Sequence, residues 1–225
     1  MVTRESQKTR LSPAQEDYLK AIFQLESDSD KRVATNELAR RLRVAPPSVT
    51  EMLGKLAGLS LVVHDRYHGA SLTARGRRVA LEMVRHHRLL EIYLTRVLGY
   101  PWDEVHDEAE KLEHVISERM ESRMFEALGR PEQDPHGDPI PSIDGNLASS
   151  DYRTLLACEA GEQVTVRRVS DREPDKLRAL ASLGVELGAR IKVVDTSVYE
   201  APVAIRLRNR LVQVPIGLAR VVYVD

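Results

Sequence analysis

Near residue 155 the sequence changes texture, and a chain built this way has to fold as more than one unit. Before that point apolar residues recur at the three-to-four spacing of amphipathic helices. After it come short β-rich runs: Val164–Val166, Ile191–Val194, Val203–Leu207, Leu211–Val214 and Val221–Val224, broken by Asp, Gly, Pro and Asn. One helical stretch, Pro174 to Ser182, interrupts them. Five short strands in so few residues predict a small all-β barrel at the C-terminus, behind an N-terminal two-thirds that is mainly α.

The helical part starts at Ser12-Pro13, with Ser as N-cap, Pro at the first helical position and Glu16 in the first turn. Tyr18, Ile22 and Leu25 mark its inner face. A second helix is expected over Asn36–Arg41, capped by Thr35. A third is expected from Ser48 to Ala57, opened by Pro46-Pro47 and stopped at Gly58. Leu61–His64 and Ala70–Thr73 then read as two strands of a hairpin. Thr73 caps a long helix to about Leu98. Another long helix is expected from Trp102 to Leu128, with Val105, Ala109, Leu112, Ile116 and Met120 inside. The spacing divides the chain into residues 1–75, 76–145, a linker over 146–154, and 155–225.

Composition narrows the classes. Of 225 residues, 42% are apolar and only 4% aromatic, so the chain can bury a core, and that core is aliphatic. Cys158 is the single cysteine, which excludes an internal disulfide and a Cys-rich metal cluster. No run of 18 apolar residues occurs, so no spanning helix is expected. Met1 to Arg10 lacks the apolar core of a signal segment, and a cytoplasmic protein is expected. The formal net charge is −1, yet residues 40–88 hold ten Lys/Arg against three acids, and residues 103–126 hold nine acids against three bases.

The basic block coincides with helix, turn, helix and hairpin, the winged helix–turn–helix plan. Its second helix would enter the major groove of double-stranded DNA, with Pro47, Ser48, Thr50 and Glu51 at the leading end. Arg41 and Arg43 would contact phosphates, and Arg66 would stand at the wing tip. The acidic block carries a second pattern. His106, Glu110, Glu113 and His114 span an arc of roughly 100° on one continuous helix. His87 and Glu91 lie one turn apart on the preceding helix. Carboxylate and imidazole without thiolate suit Mn(II) or Fe(II), while Zn(II), Co(II) or Cd(II) would bind in vitro.

These residues together resemble the diphtheria toxin repressor family of metal-dependent regulators, including its manganese-transport-regulator branch. The resemblance covers nearly the whole chain. It is carried by Glu16-Asp17-Tyr18-Leu19, Pro47-Ser48-Val49-Thr50, Leu72-Thr73-Ala74-Arg75-Gly76, Arg85–Glu91, Val105–Glu110 with Glu113-His114, and Gly137-Asp138-Pro139-Ile140-Pro141. The C-terminal part resembles the SH3-like, FeoA-type domain of longer members.

The resemblance implies a homodimeric repressor, not an enzyme, that binds a palindromic operator when loaded with metal. It implies one metal set of Asp17, Glu110, Glu113 and His114. A second set would be His87, Glu91 and His106, completed by Glu173 of the C-terminal domain. Iron-type members have Cys where this chain has Glu110 and Met where it has Asp17. Manganese-type members have Glu where this chain has Lys20, and the iron-type pattern has Gln where Lys176 stands. Two alternatives remain open: a metal-independent winged-helix regulator and a helical metalloenzyme.

Overall fold

The computed structural model describes residues 11–29, 32–65, 68–149, 151–171, 173–196 and 201–225. They form two compact units, one reaching to Arg85 with Ile143–Gly145, the other His86–Ser142 with Asn146–Asp225.

The first unit opens with α1 (Pro13–Ser29), started by a reciprocal capping box. The Ser12 N–H donates to Gln15 Oε1 at 2.9 Å, and the Gln15 N–H donates to Ser12 Oγ at 3.4 Å. Tyr18, Leu19, Ile22 and Phe23 are buried on its inner face. Helix α2 (Thr35–Leu42) begins one residue earlier than expected: Ala34 is the N-cap and Thr35 is already helical. Arg43 ends it in the left-handed region at φ 55°, which turns the chain sharply into α3 (Pro46–Gly58). Both prolines sit in the first turn of α3, where an N–H would have no helical partner. Helix α3 ends at Gly58, and the left-handed residue that follows is Ser60, at φ 57°.

Strands β1 (Val62–Asp65) and β2 (Gly69–Leu72) pair antiparallel from Val62↔Leu72 to Asp65↔Gly69. Arg66 lies outside the described residues. Val33 adds a bridge to Ala70, and the Gly69 Cα comes so close that a Cβ there would stand 2.4 Å from the Val33 carbonyl oxygen. Thr73 caps α4 (Ala74–Arg96) as expected: its Oγ1 accepts from the Gly76 N–H at 3.0 Å. The same hydroxyl donates to the Ser60 carbonyl at 2.9 Å. Replacing Thr73 with alanine removes both bonds and should destabilise the first unit by about 1–2 kcal/mol, measured as a lowered urea midpoint.

The second unit takes up α4 at His86. The single long helix expected from Trp102 to Leu128 is two helices, α5 (Val105–Leu112) and α6 (Glu118–Ala127). The break comes at Ser117, whose Oγ accepts the Met120 N–H at 3.2 Å and starts a new helix. It shifts the helical phase, so Met120 is 46% exposed while Glu121 and Met124 turn inward. Leu89, Leu90, Leu94, Val105, Ala109 and Met124 form the helical core.

A six-stranded antiparallel sheet follows, in the order β3 (Arg153–Thr154), β8 (Val222–Val224), β4 (Gln163–Val169), β5 (Arg190–Asp195), β6 (Val203–Leu207), β7 (Arg210–Val214). The five strands read in the sequence are all present. The sixth, β3, takes the last two residues of the stretch read as linker and is too short to show a period. Its pairing leaves β3 and β7 as edges, and no closing pair between them occurs among the described residues. Inward Val164, Val166, Ile191, Val193, Ile205 and Leu207 pack against α7 (Pro174–Leu183) and α8 (Ile216–Ala219). Buried Cys158 belongs to this core, its Sγ–H directed at the Thr154 carbonyl.

The proline-rich loop 131–142 sits on β4. The Val169 N–H donates to the His136 carbonyl at 2.9 Å. Gly137 lies at φ 90°, and a Cβ on it would stand 2.1 Å from the Arg167 carbonyl oxygen.

Candidate metal centre and nucleic-acid interface

Helix α4 presents His87 and Glu91 one turn apart, and α5 brings His106 to them. His87 Nε2 lies 3.0 Å from Glu91 Oε1 and 3.0 Å from His106 Nδ1. His106 Nδ1 also lies 3.4 Å from Glu91 Oε1 and 3.3 Å from Asp171 Oδ2. Four donor atoms thus converge, supplied by α4, α5 and the segment between β4 and α7. The fourth is not the expected one. Glu173 caps the start of α7, is exposed, and pairs with Lys176 Nζ at 2.5 Å. Asp171, two residues earlier, holds the inward position.

His87 uses its other nitrogen as well. Nδ1 stands 2.5 Å from Glu113 Oε2, a carboxylate with no exposed side-chain surface. A neutral imidazole has one proton, and a proton on Nδ1 toward Glu113 would turn the Nε2 lone pair toward Glu91 and His106, where a cation could take it. Glu110 also offers an oxygen within 4.8 Å of His87 and Glu113. His114 lies past the end of α5, its Nε2 3.9 Å from Glu113 Oε1. The helix break therefore replaces the expected single arc of four residues: His106 and Glu110 stay on α5, Glu113 caps it, and His114 leaves it. Asp17 is half-buried on α1 in the first unit.

A third group escaped the sequence reading. His136, in the proline-rich loop, stands against the second oxygen of Glu91, and Asp134 from the same loop offers an oxygen within 4.8 Å of both residues. His136 Nε2 is 2.8 Å from the Trp102 carbonyl, so the proton is there and Nδ1 is the free lone pair. That Nδ1 and Glu91 Oε2 are both buried without a hydrogen-bond partner, and they face each other at 3.7 Å. With His136 neutral, two acceptors aimed at one point fit a bound cation; with His136 protonated, the same two atoms form an ion pair that a cation would have to displace. Asp134 Oδ1 accepts the His136 and Asp138 N–H groups, which holds the loop in place. The only sequence sign was proximity to the Gly137–Pro141 motif.

Protons accumulate on these groups. Burial opposes charge on His106, yet Asp171 and Glu91 hold its pKa up at about 10. His136, also opposed by burial, is raised to about 9 by Glu91 and Asp134. Burial raises Asp134 to about 8, helped by the charges of Glu91 and Asp138. Burial works against the Glu91 charge too, but the surrounding imidazoles hold it well below the usual carboxylate range. A cation entering here has to displace these protons, so its affinity should climb as pH rises from about 6 to about 8, by about tenfold per unit for each proton displaced. Calorimetry of Mn(II) binding in buffers of different ionisation enthalpy measures both the slope and the protons released.

On α3, Val49, Leu53 and Leu56 face inward while Pro47, Ser48, Thr50 and Glu51 are exposed. Glu51 is engaged by Lys55 at 2.7 Å, and this ion pair lowers its pKa. Arg43 is exposed beside α3, whereas Arg41 is half-buried and donates to Gln24 Oε1 at 2.6 Å.

The same segments match known families. Residues 10–70 match the iron dependent repressor N-terminal DNA binding domain, and residues 73–142 match the metal binding and dimerisation domain of the same repressors. Residues 153–225 match the FeoA domain. The iron-dependent repressor IdeR of Mycobacterium leprae is 32% identical over 222 residues, 92% of this chain and 95% of that protein. The chain belongs to the diphtheria toxin repressor family. The diphtheria toxin repressor of Corynebacterium diphtheriae itself is 30% identical over 190 residues, 79% of this chain and 83% of that protein. Among solved structures, a manganese-dependent transcriptional repressor in complex with manganese superposes with a TM-score of 0.88 at 41% identity, covering 93% of this chain and 98% of that one. ScaR with bound Zn2+ gives 0.79 at 31% identity, covering 94% and 98%. This family member is a metal-dependent DNA-binding transcriptional repressor and homodimer, not an enzyme. No helix among its described residues is long and apolar enough to cross a membrane.

Proposed function

We propose that this repressor responds to Mn(II), with Fe(II) as the second candidate, and that it silences metal-uptake genes through a palindromic operator in the cytoplasm. The observation that carries the choice of ion is the donor set: carboxylate and imidazole converge around Glu91, and the one cysteine is buried elsewhere, in the β core. Oxygen and nitrogen donors without thiolate suit Mn(II) and Fe(II), and would accept Zn(II), Co(II) or Cd(II) in vitro. The manganese named in the solved relative agrees with this ranking.

When bound, the ion supplies positive charge that holds otherwise repelling carboxylates together. The chain does the rest. Glu113 fixes the ring and tautomer of His87, and the Trp102 carbonyl does the same for His136. Asp171 adds a carboxylate from the C-terminal domain. The set Asp17, Glu110, Glu113 and His114 is assigned on the motif correspondence, supported by the hard oxygens at Asp17 and Glu110. In a dimer, the two α3 helices would read half-sites about 34–36 Å apart. Metal favours this arrangement by no more than its difference in affinity for the competent and incompetent states.

The test is fluorescence anisotropy on the upstream region of a manganese transporter gene, at fixed salt and without oxygen. Binding with Mn(II) at concentrations where chelator-treated protein stays free is the expected result. Equal binding with chelator retires the metal switch, and a stronger response to Fe(II) reverses the order of the ions.

A further inference from the structure

The donor groups around Glu91 leave one buried imidazole of α4 unused. His86 is 5% exposed and points away from them, toward α6. Its Nδ1 lies 3.2 Å from the main-chain carbonyl of Glu113, so the proton is on Nδ1 and the lone pair on Nε2. Nε2 is buried with no hydrogen-bond partner and faces Glu121 Oε2 at 3.7 Å. Glu121 is itself only 3% exposed. Glu118, one turn earlier on α6, offers an oxygen within 4.8 Å of His86.

A gap of 3.7 Å is too long for a hydrogen bond. It suits two ligands of one ion, each about 2.1 Å from it and hence roughly 3–4 Å apart. A ligating histidine ordinarily gives its second N–H to a carbonyl or carboxylate, and the Glu113 carbonyl takes that part here. We propose that His86, Glu121 and Glu118 form a further divalent-cation site, with one nitrogen and two carboxylates suited to an ion of the Zn(II) class. Glu118 is exposed, which leaves the ion a route in and a position for water. Glu113 connects this site with the other, holding His86 through its carbonyl and His87 through its carboxylate. An ion at His86 would stiffen the turn between α5 and α6.

The site is independent of the repressor reading, because its test does not use operator binding. The full chain is loaded with Zn(II) alone, and bound zinc per subunit is counted by mass spectrometry after dialysis. His86→Gln and Glu121→Gln are each expected to lose about one equivalent, and the double variant no more than either. Glu91→Ala should remove different zinc, so that its loss adds to that of His86→Gln. Unchanged stoichiometry in His86→Gln and Glu121→Gln overturns the site and makes the pair an imidazolium–carboxylate contact. Should those two variants fail to fold, Glu118→Gln on the exposed first turn of α6 decides. A fall of about tenfold or more in affinity for that zinc supports the site, and an unchanged affinity overturns it.

Discussion

Glu91→Ala should abolish the metal response of operator binding, raising the Mn(II) concentration needed by at least about 100-fold. The size follows from how many contacts one carboxylate makes. Its Oε1 meets His87 and His106, its Oε2 faces His136, and the Glu91 side chain itself has no exposed surface. Truncation leaves three imidazoles around a hole and no anion to hold a cation among them. The metal-free protein should suffer as well, because removing one partner of a buried charged group costs about 3–5 kcal/mol. Two measurements separate these effects. Anisotropy against Mn(II) reads the response, and thermal unfolding with and without Mn(II) reads the linkage. The unaltered chain should gain melting temperature with metal, and the variant should gain markedly less. A variant that keeps both responses would remove Glu91 from the centre.

Gly137→Ala is expected to have the second largest effect, although it alters no donor atom. The added methyl carbon would stand 2.1 Å from the Arg167 carbonyl oxygen and 2.9 Å from the Arg168 Cα, both backbone atoms that cannot turn aside. Gly137 also lies at φ 90°, where a side chain is strained. Strain and overpacking together should cost about 3–5 kcal/mol or push the loop off β4. In the second case His136 moves with it. The outcome expected is a lower melting temperature and weaker Mn(II) binding in the same variant. A stable variant with intact Mn(II) affinity would show that the loop does not position His136.

The sequence was most legible where a period or a cap marks the element. Ser12, Thr73, the proline pair before α3 and the alternating strands all announce themselves locally. The helix break was hidden because Ile116 continues the apolar spacing of α5 straight through it, and Ser117 was the one contrary sign. The donor set divides along the same line. His87, Glu91 and His106 sit on helices, where spacing predicts a shared face. Asp134, His136 and Asp171 sit in aperiodic segments, where only tertiary packing decides which carboxylate or imidazole points inward. Asp171 and Glu173 are equivalent by composition. What distinguishes them is that Lys176 draws Glu173 outward while His106 receives Asp171.

Asp171 carries a consequence for how such a sensor can change over generations. It brings a carboxylate to His106 and Glu91 from a region that otherwise looks like an appended module. A shortened gene lacking the β-sheet would still encode His87, Glu91 and His106, but the fourth donor and its negative charge would be gone. On the proposed assignment, the set-point of the sensor, the free metal level at which it switches, would be written partly in the last third of the gene. Drift in that third would retune the threshold while leaving every helix of the first two-thirds untouched.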